Sequence, residues 1–452
     1  MPTPLADAVF AHTAQNKASF HTPGHKGHAA PLDFLSLPEH DLTELPDTGS
    51  LYDGGDVIEE AEQLAAQAFG AARTLFSGGG CTLCIQTMLL LGAGAGGRVL
   101  MARNSHRSAV HAAALLGLEV EWLWPTDIQP TAADVSEALN AHPHIQAVYI
   151  TSPDYYGNLC DVAAIAAVCH AAGALLLVDN AHGSHLGAFE RHPLALGADM
   201  TADSAHKTLP VLTGGAFLHL NERAARLFSA AAAKAAMALF GSTSPAYPTL
   251  VSLDLARDWW QREGVAAYRA TAQAVASLKQ AAQESGWIQP AFTGRAPLLR
   301  DPARLTLEVC RGDGVAAADF FRAQGCEPEY ADSRYIVFIL TPFNTEEERE
   351  RLRAALETGT KAMPAATGAP AFSAMLRAEH PRRALSPREA LLRPFEELPT
   401  AHCVGRIAAR SVCPCPPGVA AIVPGEVVDA ATAMWLQERG YDRLIVTAEV
   451  AV

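Results

Sequence analysis

Positive charge is in short supply. The 452 residues carry 34 lysines and arginines against 48 aspartates and glutamates, a net charge of −14, and no stretch gathers the basic side chains together. Neutralising phosphates needs such clusters, so the composition argues against a nucleic-acid partner. An acidic surface mildly favours small cationic substrates by steering, although such a charge more commonly serves simple solubility. Long hydrophobic runs are missing too. The most apolar stretch, "TLCIQTMLLLGAGAGG", is broken by polar residues and glycines and is too short to span a bilayer. The N-terminus, "MPTPLADAVFAHTAQNKASF", has no basic segment followed by an apolar one, so no secretory signal is read there and a cytoplasmic, membrane-free protein is expected. Cysteine is sparse and scattered. There are nine, an odd number, and neither the Cys81/Cys84 CxxC nor the Cys413/Cys415 CxC has a second pair to complete a zinc set. They read as reduced thiols, with no metal.

What is abundant is apolar material. Hydrophobic residues make up 49% and charged residues 18%, the balance of a globular chain long enough for about two to four domains. Between about residues 60 and 220, short apolar runs alternate with alanine-rich helical patterns. "RVLMA" (98–102), "VEWLW" (120–124), "AVYITS" (147–152), "ALLLVD" (174–179) and "AFLHL" (216–220) read as buried strands. "SHRSAVHAAALLG", "TAADVSEALNAH" and "DVAAIAAVCHAAG" have the helix period. Such alternation implies a mostly parallel sheet with crossover helices on both faces. The expected organisation is an N-terminal arm (1–45), a major α/β domain (46–286), a smaller α+β domain (287–358), a proline- and small-residue linker (359–372) and a C-terminal α+β domain (373–452).

Several chemistry-bearing residues fall where parallel sheets place their sites, at the carboxyl ends of strands. Asp179 ends "ALLLVD" after five apolar residues, so it needs a partner, or caps the segment after it. His182 and His185 come three and six residues later in "NAHGSH", without metal-ligand spacing. "FSGGGCT" (76–82) precedes a long apolar helix. Backbone N–H groups around Gly79, Gly80 and Cys81 could cradle an anion there, although the loop matches no nucleotide motif and a plain turn is the default. His106, in "RNSHRS", follows another strand and could simply cap a helix. "TSPDYYGN" (151–158) is a loop after a third. Finally "SAHKTLP" (204–210) sets Lys207, with Ser204 and His206, among small and apolar residues. It comes 28 positions after Asp179. One cofactor uses an anion site, a partner for its ring face, a carboxylate for its pyridine nitrogen and a desolvated lysine: pyridoxal 5'-phosphate.

With these residues in hand, the sequence resembles the ornithine/lysine/arginine decarboxylases of bacterial type, pyridoxal enzymes of the aspartate-aminotransferase fold (fold type I). The segments are "FHTPGHKG", "DLTELPDTGSLYDGG", "FSGGGCT", "RNSHRS", "VDNAHGSH", "SAHKTLP" and "GRIAARSVCPCPPGVAAIVPGE", in family order over nearly the whole chain. The chain resembles the compact members that lack a receiver-like wing domain. The resemblance implies that Lys207 makes the Schiff-base link, that Asp179 pairs with the pyridine nitrogen, and that His106 stacks on the ring. It implies that His182 lines the opposite side or tunes Asp179, and that Ser204 and His206 join Gly79, Gly80 and Cys81 around the phosphate. Glu426, in "PGE", would meet the distal amine of the substrate. His106 or His206 would return a proton to the substrate carbon. The family resembled forms dimers with shared sites, so a homodimer is expected. Three positions depart from the pattern: glycines and Cys81 stand for hydroxyl residues and an asparagine in the phosphate loop, Asn180 for a glutamate, and Cys415 for an aromatic residue.

The function implied is α-decarboxylation of lysine, arginine or ornithine to a diamine-type product for polyamine metabolism. The alternatives are an aminotransferase or aldolase of the same fold, for which Arg295, Arg304 or Arg334 could clamp the α-carboxylate, and a non-catalytic protein on that fold.

Overall fold

The computed structural model describes residues 15–26, 32, 40–54, 57–294, 299–359, 380–413 and 420–448. Most of the linker, Arg295 and Cys415 lie outside the described residues.

The strands, in chain order, are β1 (Ala18–Phe20), β2 (Arg73–Ser77), β3 (Arg98–Ala102), β4 (Glu119–Leu123), β5 (Ala147–Thr151), β6 (Asn158–Leu159), β7 (Leu175–Asp179), β8 (Met200–Asp203) and β9 (Ala216–Leu220). A seven-stranded sheet runs β2-β9-β8-β7-β5-β3-β4. From β8 to β4 neighbouring strands are parallel. Consecutive side chains alternate between its faces. Met101, Tyr149 and Leu177 pack with Ile85, Met88 and Leu89 of helix Gly80–Ala93. Leu100, Val148 and Val178 pack with Ile165 and Cys169 of helix Val162–Ala171 on the other face. Both faces are covered, which is why the strand sequences are apolar throughout.

The expected strands and helices are present, with two differences. "RTLFS" forms an unanticipated strand, β2; only Leu75 and Phe76 are apolar in it, too few to show a period. β9 runs antiparallel to both neighbours, β8 and β2. The link from Asp203 to Ala216 contains only the short helix Ala205–Thr208 and a turn, with no crossover helix to bring the chain back parallel. That return folds "SAHKTLP" over the carboxyl edge of the sheet.

The second unit is built on β10 (Ile288–Pro290), β12 (Arg304–Val309), β14 (Tyr330–Ala331) and β15 (Tyr335–Ile339), a four-stranded antiparallel sheet in the order β10-β12-β15-β14. Helices Val265–Ser285, Gly314–Ala323 and Glu346–Thr358 pack their apolar sides on it. Two short pairings tie this unit to the rest. β11 (Leu299–Arg300) pairs with β6, and β1 of the N-terminal arm pairs in parallel with β13 (Cys326–Pro328). The arm is thereby part of the second unit's fabric. In the C-terminal unit β16 (Phe395–Pro399) and β17 (Arg443–Thr447) pair antiparallel around a small core of Cys403, Ile422, Leu436 and Val446. No helix among the described residues is long and apolar enough to cross a membrane.

Candidate active site

Asp179 closes β7 and is buried at 2% exposure. Its Oδ2 accepts the Tyr149 hydroxyl at 3.1 Å and its Oδ1 accepts the Ala181 N–H at 3.1 Å. Burial and the nearby Asp179 charge hold the Tyr149 phenol well above its ordinary pKa, so it stays a donor. Tyr149 was invisible in the sequence because it sits inside an apolar strand run.

Lys207 lies in the one-turn helix Ala205–Thr208, whose last carbonyls are anchored from below by the Tyr268 hydroxyl on Thr208 O. Its Nζ is 3.0 Å from Nε2 of His182. Burial lowers the pKa of Lys207, opposed by the charge of Asp179 and assisted by Arg304. His182 is buried, and burial together with the Lys207 and Arg304 charges pushes its pKa well below 6.5. It meets Lys207 rather than Asp179, and the Tyr155 ring packs edge-on against it at 5.1 Å.

His106 caps helix Arg107–Leu116, its Nδ1 accepting from the Ser108 N–H at 3.3 Å and lying 2.8 Å from the Ser108 hydroxyl. The ring stays exposed while feeling the charges of both Asp179 and Lys207. His206 donates from Nδ1 to Gly215 O at 3.0 Å. Ser204 is buried, its carbonyl accepting the Lys207 N–H.

The anion cradle differs in detail from the expected one. The Gly80 N–H is taken by Gly214 O at 2.7 Å, and the Gly79 N–H by the Ser77 hydroxyl at 3.2 Å. Neither glycine therefore supplies a donor. The first-turn N–H groups of Cys81 and Thr82, which no carbonyl inside helix Gly80–Ala93 can satisfy, are the donors left at that helix start. Thr82 was not singled out from the sequence. Burial and Asp179 push the Cys81 thiol well up, so it is no thiolate.

Two side chains raised by the sequence are engaged elsewhere in the chain. Glu426 is not open to a substrate in this chain: Arg103 holds both of its carboxylate oxygens, at 2.7 and 2.6 Å, in a buried pair. Arg334 is engaged by Glu308. His185 serves structure, 3.0 Å from Asp301 and stacked on Tyr268. Behind the sheet edge, His192, Asp203 and His219 cluster closely. His192 Nδ1 accepts the Leu194 N–H, so its Nε2 carries the proton and donates it to Asp203 at 2.9 Å. Asn180 adds a second donor to Asp203 at 2.8 Å. His192 and Asn180 thus hold Asp203 from two sides.

The "HTPGHK" segment of the arm lies directly against Lys207's helix. The Gly24 N–H donates to His206 O at 2.7 Å, and Gly24 O accepts the Thr341 hydroxyl. Nearby, Glu329 accepts the Tyr155 hydroxyl at 2.6 Å and the Thr22 N–H at 2.8 Å, and its charge reaches Lys207.

The donor set fits pyridoxal 5'-phosphate: a buried carboxylate at a strand end, a desolvated amine, and unpaired helix-start N–H groups on one edge. Comparison with known proteins points the same way. Residues 3–293 match the Orn/Lys/Arg decarboxylase major domain, and residues 370–438 the C-terminal domain of that family. The chain is 32% identical to the uncharacterized protein YaaO of Bacillus subtilis, over 94% of this chain and 92% of that one. It is 30% identical to an arginine decarboxylase of Bacillus anthracis, over 94% and 90%. The constitutive lysine decarboxylase of E. coli superimposes with a TM-score of 0.74 at 18% identity, over 99% of this chain and 82% of that one. A pyridoxamine-pyruvate aminotransferase of Mesorhizobium loti shares the large-domain fold with a TM-score of 0.54 at 18% identity, over 68% and 83%. The chain belongs to the Orn/Lys/Arg decarboxylase family.

Proposed function

We propose that Lys207 carries pyridoxal 5'-phosphate and that the protein removes the α-carboxylate of a basic amino acid, arginine being the first to test because full-length relatives are named for it. The observation that carries this reading is the placement of a half-buried, pKa-lowered lysine and a buried strand-end carboxylate on one sheet edge. When bound, the cofactor supplies a cationic ring that accepts the electron pair left behind by departing carbon dioxide.

The chain's own groups do the rest. Asp179 offers the ring nitrogen a carboxylate whose orientation is fixed by Tyr149 and the Ala181 N–H. Lys207 offers an amine that is readily unprotonated, as nucleophilic attack on an aldehyde requires. The N–H groups of Cys81 and Thr82 hold the phosphate at a helix start, with Ser204 beside them. His106, whose ring is exposed at that edge, would pack on the cofactor ring. His106 or His206, whose pKa burial lowers, delivers the proton that replaces the carboxylate. Which bond of the substrate breaks would be selected by how the surrounding side chains orient it. The reading extends to a cytoplasmic homodimer serving polyamine metabolism. Cys81, Cys84, Cys160, Cys169, Cys310, Cys326 and Cys403 are free thiols, in keeping with a reducing compartment, and exposed Leu227 and Leu239 offer apolar surface to a second copy.

The test is borohydride reduction of the holoenzyme followed by peptide mapping, with arginine, lysine and ornithine assayed for released carbon dioxide. A pyridoxyl tag on Lys207, carbon dioxide from one of the three, and none from Lys207→Ala are expected. A tag elsewhere defeats the cofactor assignment; a keto acid without carbon dioxide establishes an aminotransferase instead.

A further inference from the structure

Behind His182 lies Arg304, the first residue of β12, 2% exposed and among the largest fully buried side chains. Its stem runs across Gly157, where an added Cβ would come within 2.7 Å of Arg304 Cγ. The loop "SPDYYG" therefore needs a glycine for the guanidinium to reach its place. There Nη2 is 3.3 Å from Nδ1 of His182 and 3.5 Å from the His182 carbonyl, and Nε is 3.8 Å from Oδ2 of Asp301. Asp301 is held in turn by His185.

A guanidinium has five N–H donors, no acceptor, and does not deprotonate in proteins. A nitrogen that faces it must present a lone pair, so Nδ1 of His182 is bare. A neutral imidazole carries one hydrogen, which then sits on Nε2. The doubly protonated ring is excluded, because it would set an N–H against the guanidinium. The donor on Nε2 points at Lys207 Nζ, 3.0 Å away. An ammonium has no lone pair to receive it, and only the unprotonated amine does. The order of donors, Arg304 to His182 to Lys207, thus opposes the pull that Asp179 and Glu329 exert on the Lys207 proton.

We propose that Arg304 is a positioning residue that locks His182 in the Nε2–H tautomer and thereby holds Lys207 in its unprotonated, reactive form. The inference rests on Lys207 being the reactive amine, but its test does not use turnover, so it can fail while the decarboxylase assignment stands. It assigns to Arg304 a duty different from clamping a substrate carboxylate.

The first measurement is the tautomer itself, by long-range proton–nitrogen NMR on full-length, cofactor-free protein labelled at histidine, with His182→Gln identifying the signal. A protonated Nε2 beside a bare Nδ1 is expected; a proton on Nδ1, or on both nitrogens, overturns the proposal. The second is the pH dependence of Lys207 acetylation, read by mass spectrometry. The charged and titratable groups around that amine are Asp179, Cys81, Glu329, His106, His182, His206 and Arg304. Arg304→Met removes both donor and charge and raises the Lys207 midpoint by about one pH unit, roughly tenfold lower reactivity at neutral pH. Arg304→Gln keeps a donor without charge and recovers part of that loss. Unchanged midpoints in both variants overturn the proposal. Should Arg304→Met fail to fold, the wild-type tautomer decides alone.

Discussion

The guanidinium of Arg103 grips the carboxylate of Glu426 through two parallel hydrogen bonds with both side chains buried. Arg103 follows β3 in the major domain, and Glu426 belongs to the C-terminal unit. Arg103 also donates from Nε to Ala420 O at 2.8 Å and lies over the rings of Trp122 and Trp124, at 5.0 and 4.4 Å. His380 stacks on Trp124 at 4.2 Å. The pair therefore keys one unit into the other.

Breaking it from one side leaves a buried charge without its partner, which costs about 3–5 kcal/mol. Arg103→Met or Glu426→Gln is expected to lower stability by that order in urea unfolding, whereas Arg103→Met with Glu426→Met recovers a large part. A stable Glu426→Gln protein with unchanged kcat and a KM raised tenfold would instead return Glu426 to the substrate.

Tyr149→Phe removes one of the two donors that fix Asp179. A hydrogen bond to a charged group contributes about 1.5–3 kcal/mol. If Asp179 binds the ring nitrogen, the loss appears as weaker cofactor retention, about tenfold or more by equilibrium dialysis, beyond any change in melting temperature. Retention identical to wild type would show that Tyr149 supports only the fold.

His219 gives the fold an acid-labile point. Burial lowers its pKa from 6.5 to about 4, and its Nδ1 is 2.7 Å from the Thr74 hydroxyl. The folded-state value lies below the unfolded one, so its contribution is intact above pH 6.5 and is lost as pH falls through about 4. The full loss is about 3 kcal/mol, at ~1.4 kcal/mol for each pH unit. Glu62 works in the opposite sense: burial raises its pKa from 4.5 to about 7 despite Lys234 at 2.9 Å. It favours the folded state at acid pH, and that benefit disappears as pH rises through 7. The informative quantity is therefore a difference. His219→Gln should flatten the stability profile between pH 6.5 and 4 relative to wild type. Parallel profiles across that window would contradict the assignment.

Most of the sheet was legible because its strands are buried on both faces and read as unbroken apolar runs. Asp179 and Lys207 stood out for the same reason, as polar residues interrupting such runs at the carboxyl edge. Tyr149 was hidden by belonging to a run itself. That the Gly79 and Gly80 N–H groups are spent on Ser77 and Gly214 was not legible, since it depends on tertiary contacts. Arg304 appeared in the sequence only as one of several arginines. Its adjacency to His182 arises from strand β12 meeting the loop after β7, 122 positions apart, and no local pattern encodes that. Glu426 was drawn toward the substrate by its motif, yet its partner comes from a distant strand end.

The "HTPGHK" stretch carried the family likeness without a stated role, and the structure supplies one. A Cβ on Gly24 would fall 2.6 Å from the Thr208 carbonyl carbon and 2.8 Å from Leu209 O. These are backbone atoms immediately after Lys207, so they cannot swing aside as a side chain does. Gly24→Ala must displace either the arm, losing the Gly24–His206 hydrogen bond, or the Lys207 helix. Both arm contacts, β1 on β13 and Gly24 on Thr341, keep the arm in place, so the strain falls on the lysine. Misplacing a reacting group by about 1 Å can cost on the order of 10²-fold in rate. Gly24→Ala is expected to lower kcat by about that factor while KM changes little, with the backbone strain also lowering the urea midpoint. If kcat stays within twofold of wild type, the arm does not set the position of Lys207.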